Sequence, residues 1–276
     1  MGVEGYIPQD WGKIESLSPE EFHERCYQED ILLMDVRNHY ESKIGYFIDP
    51  KTGTVATRPP IRRFSQWPQY IKAHANDING GKKKNIMTYC TGGIRCEKAV
   101  RWMQENTKQD DDTRIFTLEG GIAAYFDWME GEIRTGRKQP KDSLFKGLNY
   151  VFDARASTRL TESTELVSRC HSCDQPTGHL AKCHSRRCHL VLVMCPDCNG
   201  KDVRCCLDCK QQDNNELAVE VEQKTSRGLC SCEREREYQL WGGEPVSKKS
   251  RKTAAKTSQK HKSGKSININ VDVDPI

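Results

Sequence analysis

Nine cysteines fall between Cys170 and Cys209, and most come in close pairs. A stretch this short, with one apolar run from Leu190 to Met194, cannot bury enough surface to fold on hydrophobic burial alone. The pairs are Cys170-x2-Cys173, Cys183-x4-Cys188, Cys195-x2-Cys198 and Cys206-x2-Cys209. Two thiolates a few residues apart can chelate one tetrahedral ion, and two such pairs complete a four-thiolate site. The eight cysteines therefore predict two structural zinc ions, each contributing on the order of 10–16 kcal/mol to folding. Spacing leaves the pairing open: first pair with third and second with fourth, or first with second. Cys205 could replace Cys206, and His171, His184 or His189 could stand in for a thiolate. The rival use, disulfides, suits a secreted chain, whereas the start MGVEGYIPQDWGK has no basic-then-apolar leader pattern. Cys230-x-Cys232 lies beyond the module in a polar stretch and is read as an exposed pair, with a ligand role as the alternative.

The other cysteines sit in a different kind of sequence. Residues up to about 158 alternate apolar runs with amphipathic stretches. Ile31 to Val36, Asn85 to Tyr89 and Arg114 to Leu118 are continuous apolar runs of the kind that form strands buried on both faces. Ser18-Pro19-Glu20-Glu21 reads as a helix start, with an N-cap, proline in the first turn and acids beside the positive end of the dipole. Phe22, Cys26 and Tyr27 give that helix its apolar stripe. Further helices are predicted over 96–106 and 121–130. The alternation predicts an α/β fold, a parallel sheet with helices on both faces. Ligands of such sheets sit at the carboxyl ends of the strands, where Asp35, Cys90 and Gly120 fall.

Cys90 is followed by Thr91, Gly92, Gly93, Ile94, Arg95 and Cys96. A glycine-bearing turn from a strand into a helix can point several amides at one spot. The helix dipole and the Arg95 charge add to that field. Each favours thiolate over thiol and makes Cys90 a candidate nucleophile, with residues 91–96 as an anion- or substrate-binding loop. Cys96 either packs on the inner face of the helix or resolves an oxidised Cys90 as a disulfide. Asp35 and Arg37 either shape the pocket wall or fasten the strand end to its loop.

The motif YCTGGIRCEKA, with DVRNHYESKIGYF upstream and LEGGI downstream, resembles the rhodanese-like domain. More narrowly it is similar to the bacterial tRNA uridine-34 hydroxylases and the eukaryotic thiosulfate-sulfurtransferase-like rhodanese-domain proteins. The resemblance runs from about Leu17 to about Cys209. It implies a catalytic cysteine at position 90 that carries a persulfide in sulfur transfer, or that serves oxygen-dependent hydroxylation of the tRNA wobble uridine. A cysteine-rich module after the rhodanese domain also agrees with this family. The bacterial enzymes carry a ferredoxin-like domain first; only residues 1–17 precede the first helix here, so that domain is expected to be missing.

The expected organisation is an N-terminal extension (1–17), a rhodanese-like domain (18–158), a zinc module (159–210) and a polar, largely disordered tail (211–276). Between Ser247 and Lys265 stand eight basic residues and no acid; set against a total charge of +4, they leave the rest of the chain at −4. Such a tail could contact RNA phosphates or serve as a nuclear address through KKSRK. No apolar run approaches the ~18 residues that span a bilayer, so the chain is expected in the cytoplasm, without a membrane partner. The functional expectation is tRNA wobble-uridine hydroxylation. The alternatives are general sulfur transfer from thiosulfate or a persulfide, and a non-enzymatic zinc-dependent binding module. No organic cofactor is implied.

Overall fold

The computed structural model describes residues 14–79, 85–107, 113–153, 156–186, 188–211 and 229–243. The extension up to residue 13 and the basic stretch 247–265 lie outside the described residues, and with them the nuclear-address and phosphate-contact expectations.

Four parallel strands make the central sheet: β1 (Ser16–Leu17), β2 (Ile31–Asp35), β4 (Asn85–Tyr89) and β5 (Arg114–Leu118), in the order β1-β5-β4-β2. Both faces are covered, as the continuous apolar runs require. Leu32, Met34, Ile86 and Ile115 point to one face, against α3 (Trp67–Ala73) and α5 (Ile94–Asn106). Ile31, Leu33, Met87, Tyr89, Phe116 and Leu118 point to the other, against α1 (Pro19–Arg25) and α6 (Gly121–Arg134). The two-residue period of a strand thus divides one sequence run between two cores.

The helix start at Ser18 is a capping box: Glu21 N donates to Ser18 Oγ at 3.2 Å, and Ser18 N donates to Glu21 Oε2 at 2.9 Å. Tyr27 leaves the predicted stripe and is exposed. The helix predicted over 96–106 begins two residues earlier, because Gly93 at φ +85° already turns the chain. The helix predicted over 121–130 runs on to Arg134. Between strands lie α2 (Glu41–Ile44), β3 (Gly45–Phe47) and α4 (Ala75–Asn79). After α6, β6 (Phe145–Gly147) returns antiparallel to β3, and β7 (Asn149–Tyr150) pairs with β8 (Ser157–Thr158).

The cysteine module is built on an antiparallel pair, β9 (Leu180–Lys182) and β10 (Val191–Val193), the latter from the expected apolar run. Two short helices follow, α7 (Pro196–Asn199) and α8 (207–211). A last helix, α9 (Ser231–Trp241), lies inside the segment whose composition predicts a disordered tail. It docks on the sheet domain: Leu240 joins the core of Trp67, Tyr70 and Ile71. Arg62 pairs with Glu233 at 3.1 Å, and Arg236 Nη1 donates to Pro60 O at 2.9 Å. The helix is missed in the sequence because its buried contacts are made largely by charged residues, Glu233 and Arg236. Among the described residues no helix is long and apolar enough to cross a membrane.

Candidate active site and metal centres

Cys90 directly follows β4, at the carboxyl edge of the sheet, and is 1% exposed. Its loop is held from below by α6. Ile122 N donates to Cys90 O at 2.9 Å and Ala123 N to Thr91 O at 3.1 Å. Gly121 sits at φ +64°, and a side chain there would stand 2.7 Å from Gly93 N and 2.8 Å from Gly92 N. The downstream LEGGI segment is therefore part of the cradle: its glycine lets two loops touch.

The Cys90 thiol is brought down to about 6. The largest cause is a hydrogen bond from the Cys96 thiol; burial opposes it, and the Arg95 charge and the backbone amides of Cys96 and Arg95 assist. Donors to a buried anion outweigh its desolvation when they are several and preorganised. Cys96, itself fully buried, is pushed well above the ordinary thiol range, first by burial and then by its bond to Cys90, so it stays the proton donor of the pair. The two expectations for Cys96 meet here: it packs on the inner face of α5 and also touches the reactive sulfur. Cys96→Ala is expected to raise the midpoint of Cys90 alkylation from about 6 by about 1–2 pH units, the worth of one hydrogen bond to a charged group. Cys96→Ser keeps a donor and should stay near the wild-type midpoint; equal midpoints for all three proteins would contradict this role.

Arg95 does not stand free in the cradle. Its Nη1 and Nη2 donate to Glu41 Oε1 and Oε2 at 2.6 and 2.7 Å, with both side chains buried. Thr91 Oγ1 accepts from Arg95 at 3.1 Å and lies 3.3 Å from Glu41 Oε2, and Asn38 N donates to Glu41 at 3.0 Å. The arginine thus contributes a fixed, mostly neutralised charge and shapes the loop. Glu41 is the functional residue that sequence reasoning missed. It stands in the quoted segment DVRNHYESKIGYF, where a glutamate six residues after Asp35 looks like surface charge. Glu41→Gln leaves the arginine buried without its counter-charge and is expected to destabilise the fold by about 3–5 kcal/mol, read as a lower urea midpoint; an unchanged midpoint would contradict the assignment.

Asp35 and Arg37 form a fully buried pair at 2.6 Å, and Arg37 Nη2 also donates to Gly45 O at 2.6 Å. They fasten the end of β2 to β3, behind the cradle. Gly92 and Ile94 face outward, Ile94 at 65% exposure, as the lip of the loop. Beside it Phe152, also 65% exposed, lies over Arg95 at 5.6 Å and stands edge-on to Tyr150 at 5.0 Å.

Among the described residues, cysteine sulfurs gather in three groups that could hold a metal ion, each with its sulfurs within 4.8 Å of one another: Cys170, Cys173, Cys195 and Cys198; Cys183, Cys188, Cys205 and Cys209; and Cys205, Cys206, Cys209 and Cys230. The pairs interleave, first with third and second with fourth, because β9 and β10 bring the knuckles together crosswise. The same bond recurs in the first two groups: Cys195 N donates to Cys170 Sγ at 3.4 Å, and Cys205 N to Cys183 Sγ at 3.3 Å. One open choice narrows and one expectation is corrected. Of the two adjacent cysteines, buried Cys205 joins the second group, while half-buried Cys206 stands with Cys205, Cys209 and Cys230 in the third. Cys230 is buried rather than exposed, 3.6 Å from Cys205, because α9 is docked and carries it there. Among the described residues no histidine enters these groups. An all-thiolate donor set with sulfurs about one tetrahedral edge apart suits a soft, four-coordinate ion.

Residues 18–127 match the rhodanese-like domain and residues 146–210 match a family described as rhodanase C-terminal. The tRNA uridine(34) hydroxylase of Leptospira interrogans is 34% identical over 195 residues, 70% of this chain and 47% of that protein. Its namesake from Erwinia tasmaniensis is 34% identical over 199 residues, covering 72% and 49%. That of Escherichia coli O139:H28 is 35% identical over 178 residues, covering 64% and 44%. The chain spans about half the length of these curated relatives.

Proposed function

The chain belongs to the rhodanese-like domain proteins, and on that premise we propose that it is a cysteine-dependent enzyme of tRNA wobble-uridine hydroxylation, with Cys90 as the reacting atom. The observation that carries this reading is a sulfur at the carboxyl edge of a parallel sheet, held by donors that bring it to about 6. At neutral pH it is largely ionised, and the anion is the nucleophilic form of a thiol. With 1% of residue 90 exposed, reaction requires part of its surroundings to move aside. The names of the similar hydroxylases support tRNA as substrate. So does the exposed ring of Phe152 at the mouth, a face on which an unpaired base can stack. Residues 91–96 orient the substrate, and Asp35 and Arg37 brace the wall. The cysteine module is read as zinc-bearing, with each ion structural because a four-thiolate site leaves no open position.

The deciding test is mass analysis of tRNA nucleosides from a strain lacking this protein. Loss of hydroxylated wobble uridine, restored by the wild-type chain, is expected; unchanged wobble uridine overturns the reading. The amide-lined cradle also favours a second reading, sulfur transfer through a persulfide on Cys90 from a thiosulfate-like donor, since a persulfide anion would be held by the same donors. Sulfur transfer to cyanide that Cys90→Ser abolishes would establish it, and no transfer from any donor would remove it.

A further inference from the structure

One sulfur has more sulfur neighbours than a single tetrahedral site allows. Cys205 Sγ lies 3.8 Å from Cys188, 3.7 Å from Cys206, 3.4 Å from Cys209 and 3.6 Å from Cys230. A zinc–sulfur bond of about 2.3 Å gives a tetrahedral sulfur–sulfur edge of about 3.8 Å, so each of these is close to the length of such an edge. They do not all belong to one tetrahedron: Cys183 and Cys188 fall in one group, Cys206 and Cys230 in another, and both groups contain Cys205 and Cys209. Two tetrahedra that share an edge hold six sulfurs, and these two groups together comprise six. The shared edge, Cys205 to Cys209, is the shortest at 3.4 Å, as expected where two ions pull on the same pair of sulfurs and close a four-membered ring.

We propose that Cys183, Cys188, Cys205, Cys206, Cys209 and Cys230 form one binuclear zinc–thiolate cluster, bridged by Cys205 and Cys209. The proposal rests on the zinc reading of the module and extends it from two ions to three per chain. Each thiol releases its proton as it binds, and no electron is transferred. Six thiolates around two divalent ions leave a double negative charge. Lys43 and Arg58 line the cavity of about 640 Å³ that Cys205 and Cys232 also wall, and Lys43 feels the charge of both cysteines.

The sixth ligand gives the cluster its consequence. Cys230 is the N-cap of α9 and lies beyond residues 146–210, the segment that matches the family model. Through it the second ion fixes the start of α9, whose other end is anchored by Leu240 in the sheet-domain core. The ion is thus an interlock between the module and the sheet domain.

Metal content of the full chain by elemental analysis and native mass spectrometry tests this, together with cadmium-113 NMR of the cadmium-substituted protein. The expected result is three ions per chain and two cadmium resonances that both correlate with the β-protons of Cys205 and Cys209. Cys230→Ala should lower the content to two ions, keep the site at Cys170, Cys173, Cys195 and Cys198, and raise amide exchange in α9. Two ions in the wild type, three without shared correlations, or three in Cys230→Ala would overturn the cluster while leaving the zinc reading intact. A metal-free chain would overturn both.

Discussion

Cys90→Ser is expected to abolish wobble-uridine hydroxylation, by more than about a thousandfold, while leaving the fold and metal content unchanged. Serine fits the space and keeps a polar atom before the same donors: the Cys96 thiol and the amides of Arg95 and Cys96. What it loses is acidity. A hydroxyl is not ionised by donors that bring a thiol to about 6, so the variant keeps the cradle and lacks the nucleophile. Hydroxylation assayed on tRNA recovered from the deletion strain, with circular dichroism as a control on folding, separates chemistry from stability. A folded serine variant with near wild-type activity would show that Cys90 is not the reacting group.

Metal removal should have the largest effect on structure. The module core consists mainly of cysteine sulfurs with Leu190, Leu192, Met194 and Val203, too little apolar surface to hold a two-stranded sheet. Each structural ion contributes about 10–16 kcal/mol, comparable with the whole net stability of an ordinary domain, about 5–15 kcal/mol. A strong chelator is therefore expected to unfold residues 170–209 and release α9, read as loss of amide protection at Leu180–Lys182 and Val191–Val193. Protection unchanged after complete metal loss would mean that the module folds without its ions. The sheet domain, with its own two cores, should retain protection in β2, β4 and β5.

The features legible in the sequence are those governed by local rules. The three long strands, the helix start at Ser18 and the glycine turn after Cys90 each depend on a few adjacent residues, and each stands where its pattern puts it. The features that escaped depend on partners far along the chain. Glu41 becomes functional only because Arg95, 54 residues later, reaches back to it. Cys205 and Cys206 are neighbours with equal claim in sequence, and only the crosswise approach of two knuckles turns the first inward. The sequence reads Cys230 as exposed because nothing local reveals that α9 docks on α3; its polar anchors are the part-buried pair Arg62–Glu233 and the bond from Arg236 to Pro60 O, in a stretch whose polarity argues for a solvated tail. Pair spacing gave the number of knuckles but neither the interleaving nor the shared edge, which are properties of the β9–β10 pairing.

The account stands on the charge of one sulfur, and its pH dependence is the direct measurement. A thiol whose acidity is raised by the fold is protonated and slow to react below its midpoint, and ionised and fast above it. Site-resolved alkylation of Cys90 in the native, metal-loaded chain, followed by peptide mass mapping from pH 4 to pH 10, should rise with a half-maximum at about 6. A rise centred near 9, the ordinary thiol value, would contradict the account and leave Cys90 a buried structural residue.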